Sequence, residues 1–141
     1  MKTKIIFSGL IIAMLLLSVG CNKELTGIEV GQEFKLAYNQ KATITDQQTG
    51  ESIKVKFEEL IVDSRCPTGA LCMWEGAVTL ELLINNTQKI EVTHSAGPVN
   101  DTIIITDNGD YKVALIEADP YPILDKTINK HDYVATLKIM R

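Results

Sequence analysis

Residues 63–76 bring together chemically versatile side chains that are rare elsewhere in the chain. Cys66 and Cys72 have five residues between them, and the only tryptophan, Trp74, lies two residues after Cys72. As free thiols, the two cysteines could bind a soft metal such as Cu(I), with Met73 and His94 as further ligands. As an oxidised pair, they would close a small loop. The compartment in which the protein works decides between these two forms.

Two other kinds of cysteine chemistry fit this spacing poorly. Structural zinc sites usually separate paired cysteines by two to four residues and need four ligands. A redox-active pair of the thioredoxin type needs two intervening residues at the start of a helix, which stabilises the thiolate. We therefore predict no metal site and no cofactor, and the pattern favours a structural disulfide.

The N-terminal segment indicates where the protein goes. Lys2 and Lys4 precede an apolar run over residues 5–17, and small residues lead to Cys21. The run is too short for a transmembrane helix, which needs about 20 residues. The segment is typical of a secretory signal peptide over residues 1–20, and it resembles a bacterial lipobox with Cys21 as the lipidated residue. The alternative is ordinary cleavage, which would release a secreted protein with a free Cys21 thiol.

Lipidation of Cys21 would leave an even pair of cysteines in the folded domain. An oxidising compartment outside the cytoplasm allows a disulfide between Cys66 and Cys72 to persist. We predict that disulfide, and we expect a lipid-anchored protein of the bacterial cell envelope. It would face the periplasm from the outer membrane or lie on the cell surface, with the membrane as its first partner.

The charge balance argues against nucleic acid as a partner. The chain has 14 Lys and Arg against 18 Asp and Glu. Removal of a signal peptide containing Lys2 and Lys4 leaves 12 basic residues and a net charge of −6. A phosphate backbone would be repelled by this excess, and no cluster of basic residues offsets it.

Alternation of apolar and polar residues dominates the chain after residue 30, and this period is typical of half-buried strands. Turn signals recur roughly every ten residues, and no segment has clear helical periodicity. We predict an all-β domain over residues 31–141, a single antiparallel β-sandwich of about eight strands, immunoglobulin-like or a related Greek key. Residues 21–30 would form a short tether. The main alternating sets are Phe34, Leu36 and Tyr38; Ile53, Val55 and Phe57; Val78, Leu80, Leu82 and Ile84; and Tyr133, Ala135, Leu137 and Ile139.

The central segment also resembles a known sequence signature. Residues 63–77 read D-S-R-C-P, four further residues, then C-M-W-E-G-A, which is close to the signature D-S-R-C-P, four residues, C-x-W-x-G-x-A. This pattern resembles a family of small secreted or lipid-anchored bacterial proteins with no established activity. Pro120-Tyr121-Pro122 and residues 132–137 are similar to the closing loop and last strand of that family. The resemblance implies a β-rich domain outside the cytoplasm and implies no reaction.

Asp63, Arg65 and Trp74 are the candidate partner-binding residues. In one interpretation, the Arg65 guanidinium stacks on the Trp74 indole or reaches a carboxylate of a partner. In the other, which we favour, Trp74 fills the core where a strand begins and Arg65 forms a salt bridge with Asp63 or another acid.

No catalytic constellation is visible in the sequence. Ser95 adjoins His94, but neighbouring strand residues point to opposite faces, so they cannot act together as a nucleophile and its base. We predict a protein without enzymatic activity that presents a disulfide-clamped loop to an envelope protein or a cell-wall component. Two alternatives remain open: a secreted protease inhibitor that uses the same loop, and a soft-metal (copper) or redox sensor that uses the cysteines.

Overall fold

A computed structural model describes residues 23–97, 102–106 and 109–141, which form two β-sheets packed face to face. The predicted signal peptide and Cys21 lie outside the described residues. Within the described ranges, no helix has the length and apolar character that a membrane span requires. The all-β prediction is confirmed, and the described helical structure is one 3-10 turn, Lys130–Asp132.

The described residues form nine strands, one more than the approximate number predicted. In chain order these are β1 Leu25–Glu29, β2 Glu33–Ala37, β3 Lys41–Thr45, β4 Ser52–Asp63, β5 Ala77–Ile84, β6 Gln88–Ser95, β7 Thr102–Thr106, β8 Gly109–Asp119 and β9 Val134–Met140.

The strands divide into sheets of five and four. The first sheet has the order β1-β3-β4-β5-β6, and the second has the order β2-β9-β8-β7. Strands β3 to β6 form an antiparallel meander, as do β7 to β9. Strand β2 pairs with β9 in the second sheet. These two neighbouring strands are far apart in the sequence, as the first and fourth strands of a Greek key are. This order differs from the immunoglobulin arrangement.

The N-terminal part of the domain departs from the prediction. Residues 21–30 were expected to form a tether, yet β1 lies within them and pairs with β3. This pairing is parallel, so the sandwich is not wholly antiparallel. Strand β1 is an edge strand with little burial, and its sequence therefore lacks the alternation by which the other strands are recognised.

The core lies between the sheets and is built from the alternating positions. In β5 every second residue is buried, and the same holds for the first half of β4. Because side chains alternate across a strand, each strand turns one apolar row inward and one polar row outward. The predicted inward rows of β4, β5 and β9 are all in the core.

Two ends of the sandwich are distinguished by their loops. Strands β4 and β8 run toward the end that carries residues 64–76 and 120–133, which we call the loop end. The opposite end carries the turn at residues 85–87 between β5 and β6. Strand β4 is long, and its pairing with β5 is irregular after Phe57 and after Leu60. Its buried residues are confined to its first half, so its last residues extend past the central core.

Candidate functional site

The segment between β4 and β5 begins as a narrow two-stranded neck. The Ser64 amide donates to the Ala77 carbonyl at 2.8 Å, and the Cys66 amide donates to the Glu75 carbonyl at 2.9 Å. The sheet ladder is thereby continued beyond the strand ends. Beyond the neck lies the clamped loop, which we define as residues 66–75.

A disulfide closes the clamped loop, as predicted. Cys66 and Cys72 are bonded, with their Cα atoms 5.9 Å apart. The Ala70 amide donates to the Pro67 carbonyl at 3.0 Å and forms a turn inside the ring. On the loop-entropy account, a ring of this size stabilises the folded state by roughly 2 kcal/mol. The disulfide therefore restricts the loop locally and does not join the two sheets.

Arg65 lies at the base of the clamped loop and is buried. Its Nε donates to Asp63 Oδ1 at 2.9 Å and its Nη2 to Asp63 Oδ2 at 2.6 Å, in a two-pronged ion pair. Nη1 also donates to the Ala118 carbonyl at 2.6 Å, and Nη2 to the Pro120 carbonyl at 3.1 Å. The guanidinium thus fastens the loop to the other sheet, because Ala118 and Pro120 lie at the end of β8.

Two tyrosines complete this group, which we call the Arg65 cluster and define as Asp63, Arg65, Tyr121 and Tyr133. Tyr133 donates its hydroxyl to Asp63 Oδ2 at 2.8 Å, and the Tyr121 ring lies 4.8 Å from the Arg65 guanidinium carbon. Burial alone raises the pKa of the Asp63 carboxyl, but hydrogen bonds from Arg65 and Tyr133 outweigh it and hold that pKa below its usual value. Asp63 is therefore ionised at neutral pH and supports Arg65 as a charged partner.

Tyr133 makes the cluster sensitive to alkaline pH. Burial and the hydrogen bond to Asp63 raise the pKa of Tyr133 to about 12, from 10.0. A group whose pKa is raised by folding stabilises the fold below its unfolded pKa, and this stability is lost as the pH rises from 10 through 12. We expect the free energy of unfolding to fall by roughly 2 to 3 kcal/mol across this window because of Tyr133.

The Tyr133→Phe variant is the comparison for this prediction. It is expected to be less stable than the native protein at pH 8, since the hydrogen bond to Asp63 is lost. Its stability should also decline less between pH 10 and 12. Urea unfolding at several pH values measures both effects. If the free energy of unfolding falls equally steeply with pH in the two proteins between pH 10 and 12, Tyr133 is not the group responsible.

Trp74 is not in the core, contrary to the interpretation that we favoured. Its side chain is 81% exposed, Met73 is 87% exposed and Leu71 is fully exposed. The neck directs the chain away from the sheets, so these three side chains extend into solvent and not into the sandwich. Arg65 stacks on Tyr121 and pairs with Asp63, so the second half of that interpretation, the salt bridge, is confirmed.

A second loop is attached to the clamped loop. We define the companion loop as residues 120–124. The Thr68 amide donates to the Pro122 carbonyl at 2.9 Å, and the Leu124 amide donates to the Thr68 carbonyl at 3.1 Å. Tyr121, Ile123 and Leu124 are between 43% and 49% exposed. The two loops therefore present exposed apolar side chains at the same end of the sandwich.

A cleft of about 400 Å³ lies behind the clamped loop. Its lining includes Arg65, His94, Glu75, Glu117 and Tyr121. The Nδ1 atom of His94 is buried there without a hydrogen-bond partner among the described residues. In the part of the chain that the structure describes, no three His, Cys, Asp or Glu residues are placed to hold a metal ion. The described residues that line the cleft form no recognisable catalytic arrangement.

The structure separates the sequence-predicted site residues into two roles. Asp63 and Arg65 are buried and support the loop, whereas Trp74 is exposed on it. Sequence reasoning missed Tyr121 and Tyr133 as members of the cluster. The alternation predicts an inward strand face for Tyr133, and a buried tyrosine usually needs a polar partner for its hydroxyl. That requirement is the signal that could link Tyr133 to Asp63.

Comparison with known proteins adds no identity. No family model, curated protein or solved structure matches this chain. The resemblance to the D-S-R-C-P family therefore stays a prediction that depends on the residues of the central segment.

Proposed function

We propose that this protein is a cell-envelope lipoprotein without enzymatic activity, anchored through Cys21, that binds an envelope component with its clamped loop. The signal-like segment before Cys21 supports the anchor, and the exposed side chains of Leu71, Met73 and Trp74 support the contact surface. The domain itself acts as a rigid support for the loop.

One observation carries the binding role: a fixed loop exposes large apolar side chains. The disulfide, the neck hydrogen bonds and the buried Arg65 cluster all restrict the loop, and none of them covers Met73 or Trp74. A patch of exposed apolar residues on a small domain commonly marks an interaction site. Because the loop is already ordered, binding through it would lose little conformational entropy.

The two alternative functions lose support at the residues they require. A protease inhibitor of the kind considered would need Arg65 free to enter a cleft, yet its guanidinium is occupied by Asp63 and two backbone carbonyls. A copper or redox sensor would need thiols at Cys66 and Cys72, which are joined in a disulfide. We therefore put neither forward.

The test is site-specific photocrosslinking in intact cells. A photoreactive amino acid replaces Met73 in one variant and Thr87, in the turn at the opposite end, in the matched control. We expect crosslinked products from position 73 and few or none from position 87. Products are analysed both as protein adducts and as lipid adducts. Equal labelling from the two positions, or none from position 73, would count against the clamped loop as the contact surface.

A further inference from the structure

The cleft behind the clamped loop is lined by residues of both sheets. His94 belongs to the end of β6, Glu75 to the clamped loop, Glu117 to β8 and Tyr121 to the companion loop. Its volume of about 400 Å³ is in the range of small-ligand sites, roughly 300 to 1,000 Å³. We infer that this cleft binds a primary ammonium group on a short alkyl chain, the group at the end of a lysine side chain. The inference adds a second contact to the proposed function and does not depend on the lipid anchor.

Two carboxylates of the cleft have no cation of their own. Across residues 23–97, 102–106 and 109–141, no Lys, Arg or His lies within ion-pair distance of Glu75 or Glu117. The charge of Arg65, which also lines the cleft, is balanced by the Asp63 carboxylate at 2.6 and 2.9 Å. The cleft therefore carries two uncompensated negative charges. A concave site lined by one sign of charge attracts ions of the opposite sign, so the ligand should be a cation.

His94 provides a second observation that is independent of charge. Its ring lies at the cleft, and its Nδ1 atom is buried with no hydrogen-bond partner among the described residues. A buried polar atom without a partner is rare in folded proteins and calls for a group that the protein itself does not provide. The hydrogen bonding of this wall is thus incomplete, as it is in a site that awaits a polar ligand.

An ammonium group suits these walls better than a metal ion or a guanidinium does. In the described part of the chain, no three His, Cys, Asp or Glu side chains are placed to hold a metal ion. A guanidinium is planar and matches one carboxylate in a two-pronged pair, whereas Glu75 and Glu117 belong to different elements. An ammonium group has three diverging donors, which can reach separate acceptors. Ala96 and the Tyr121 ring line the same cleft and would contact the alkyl chain.

The two histidines of the chain make the test specific, because one of them, His94, lines the cleft. The other, His131, packs edge-on against Tyr38 with ring centroids 4.9 Å apart and serves as an internal control. The full-length protein is labelled with ¹³C-histidine, and its imidazole signals are followed by NMR during titration with butylammonium at constant ionic strength. We expect a saturable shift of the His94 signals alone, with a dissociation constant of roughly 1 to 10 mM. Butanol, which has the same alkyl chain and no charge, should shift neither histidine.

Matched variants test the two carboxylates. Glu75→Gln and Glu117→Gln each remove one negative charge at an exposed position, so the protein should stay folded. Each should weaken butylammonium binding about three- to fivefold, and the double variant about tenfold or more. Glu91→Gln is the control, since it removes the same charge from β6 on the face opposite to His94. Its affinity should stay within about twofold of that of the native protein, because the charge is distant and screened.

Several results would overturn the inference. It is wrong if no saturable shift of His94 occurs, if butanol shifts His94 as butylammonium does, or if propylguanidinium binds more tightly than butylammonium. It is equally wrong if Glu91→Gln weakens binding as much as the cleft variants do. Nα-acetyllysine methylamide identifies the source of the ammonium group: binding comparable to that of butylammonium supports a lysine of a partner protein, and binding of butylammonium alone supports a free amine. None of these results bears on crosslinking from position 73, so the cleft and the clamped loop are tested separately.

Discussion

Replacement of Arg65 by alanine is expected to lower the free energy of unfolding by about 3 to 5 kcal/mol. The substitution leaves the Asp63 carboxylate buried beside Tyr133 with its cationic partner gone. It also leaves the Ala118 and Pro120 carbonyls without the donors that now reach them at 2.6 and 3.1 Å. The loss would be a large fraction of the stability of an ordinary domain, which is about 5 to 15 kcal/mol.

An exposed ion pair of the same chain provides the matched control. Lys35 lies 3.8 Å from Asp119, and their side chains are 68% and 44% exposed. Because water screens such a pair, Lys35→Ala should cost less than about 1 kcal/mol. Urea unfolding of both variants gives the comparison. If Arg65→Ala costs no more than Lys35→Ala, then Arg65 does not hold the loop, and its proposed supporting role is wrong.

A double variant separates the ion pair from the space that it fills. Replacing Arg65 by methionine and Asp63 by leucine removes both charges, so no uncompensated charge stays buried. We expect this protein to be more stable than Arg65→Met alone, which fills the same space but leaves the Asp63 carboxylate buried without its cation, even though the double variant carries one more substitution. The difference would show that the penalty comes from the stranded carboxylate and not from lost side-chain volume.

The strands could be predicted because one simple pattern determines them. A strand with one face in the core requires alternation, and Val78, Leu80, Leu82 and Ile84 satisfy this requirement in β5. Strand β1 escaped prediction for the opposite reason. As an edge strand with a single neighbour and mostly exposed residues, it places no such requirement on its sequence.

The site could be predicted only in part, because its members come from distant parts of the chain. The pairing of Cys66 with Cys72 and of Arg65 with Asp63 is local, and both follow from neighbours in the sequence. The Ala118 carbonyl is 53 residues from Arg65, and nothing in its own residue type marks it as an acceptor. Trp74 misled the prediction because apolar character alone does not show whether a residue follows a strand into the core or leaves it in a loop.

Gly76→Ala is expected to be among the most damaging single substitutions in the chain. Gly76 lies in the neck with a φ of +68°, and an added Cβ would be 1.8 Å from the Ser64 carbonyl oxygen. The nearest atoms belong to the backbone of Ser64 and Arg65, so no side-chain rotation can relieve the overlap. The two strands of the neck would have to separate, at the cost of the hydrogen bond from the Cys66 amide to the Glu75 carbonyl. We expect a loss of at least about 3 kcal/mol, since overpacking and a left-handed backbone conformation both contribute.

Gly50→Ala isolates the conformational part of that cost. Gly50 has a φ of +75°, close to that of Gly76, but an added Cβ would meet nothing within 4 Å. The free energy of unfolding of Gly50→Ala should therefore fall by only about 1 to 2 kcal/mol, which is what a left-handed conformation costs a residue with a Cβ. Urea unfolding measures the difference between the variants, and hydrogen exchange at the Ser64 and Cys66 amides locates it, because both amides should lose protection in Gly76→Ala alone. Equal destabilisation of the two variants, with the neck amides still protected, would mean that the neck tolerates a side chain at this position. In the expected case, the glycine allows the two backbones to approach closely enough to hold the clamped loop and its exposed Trp74 in one orientation.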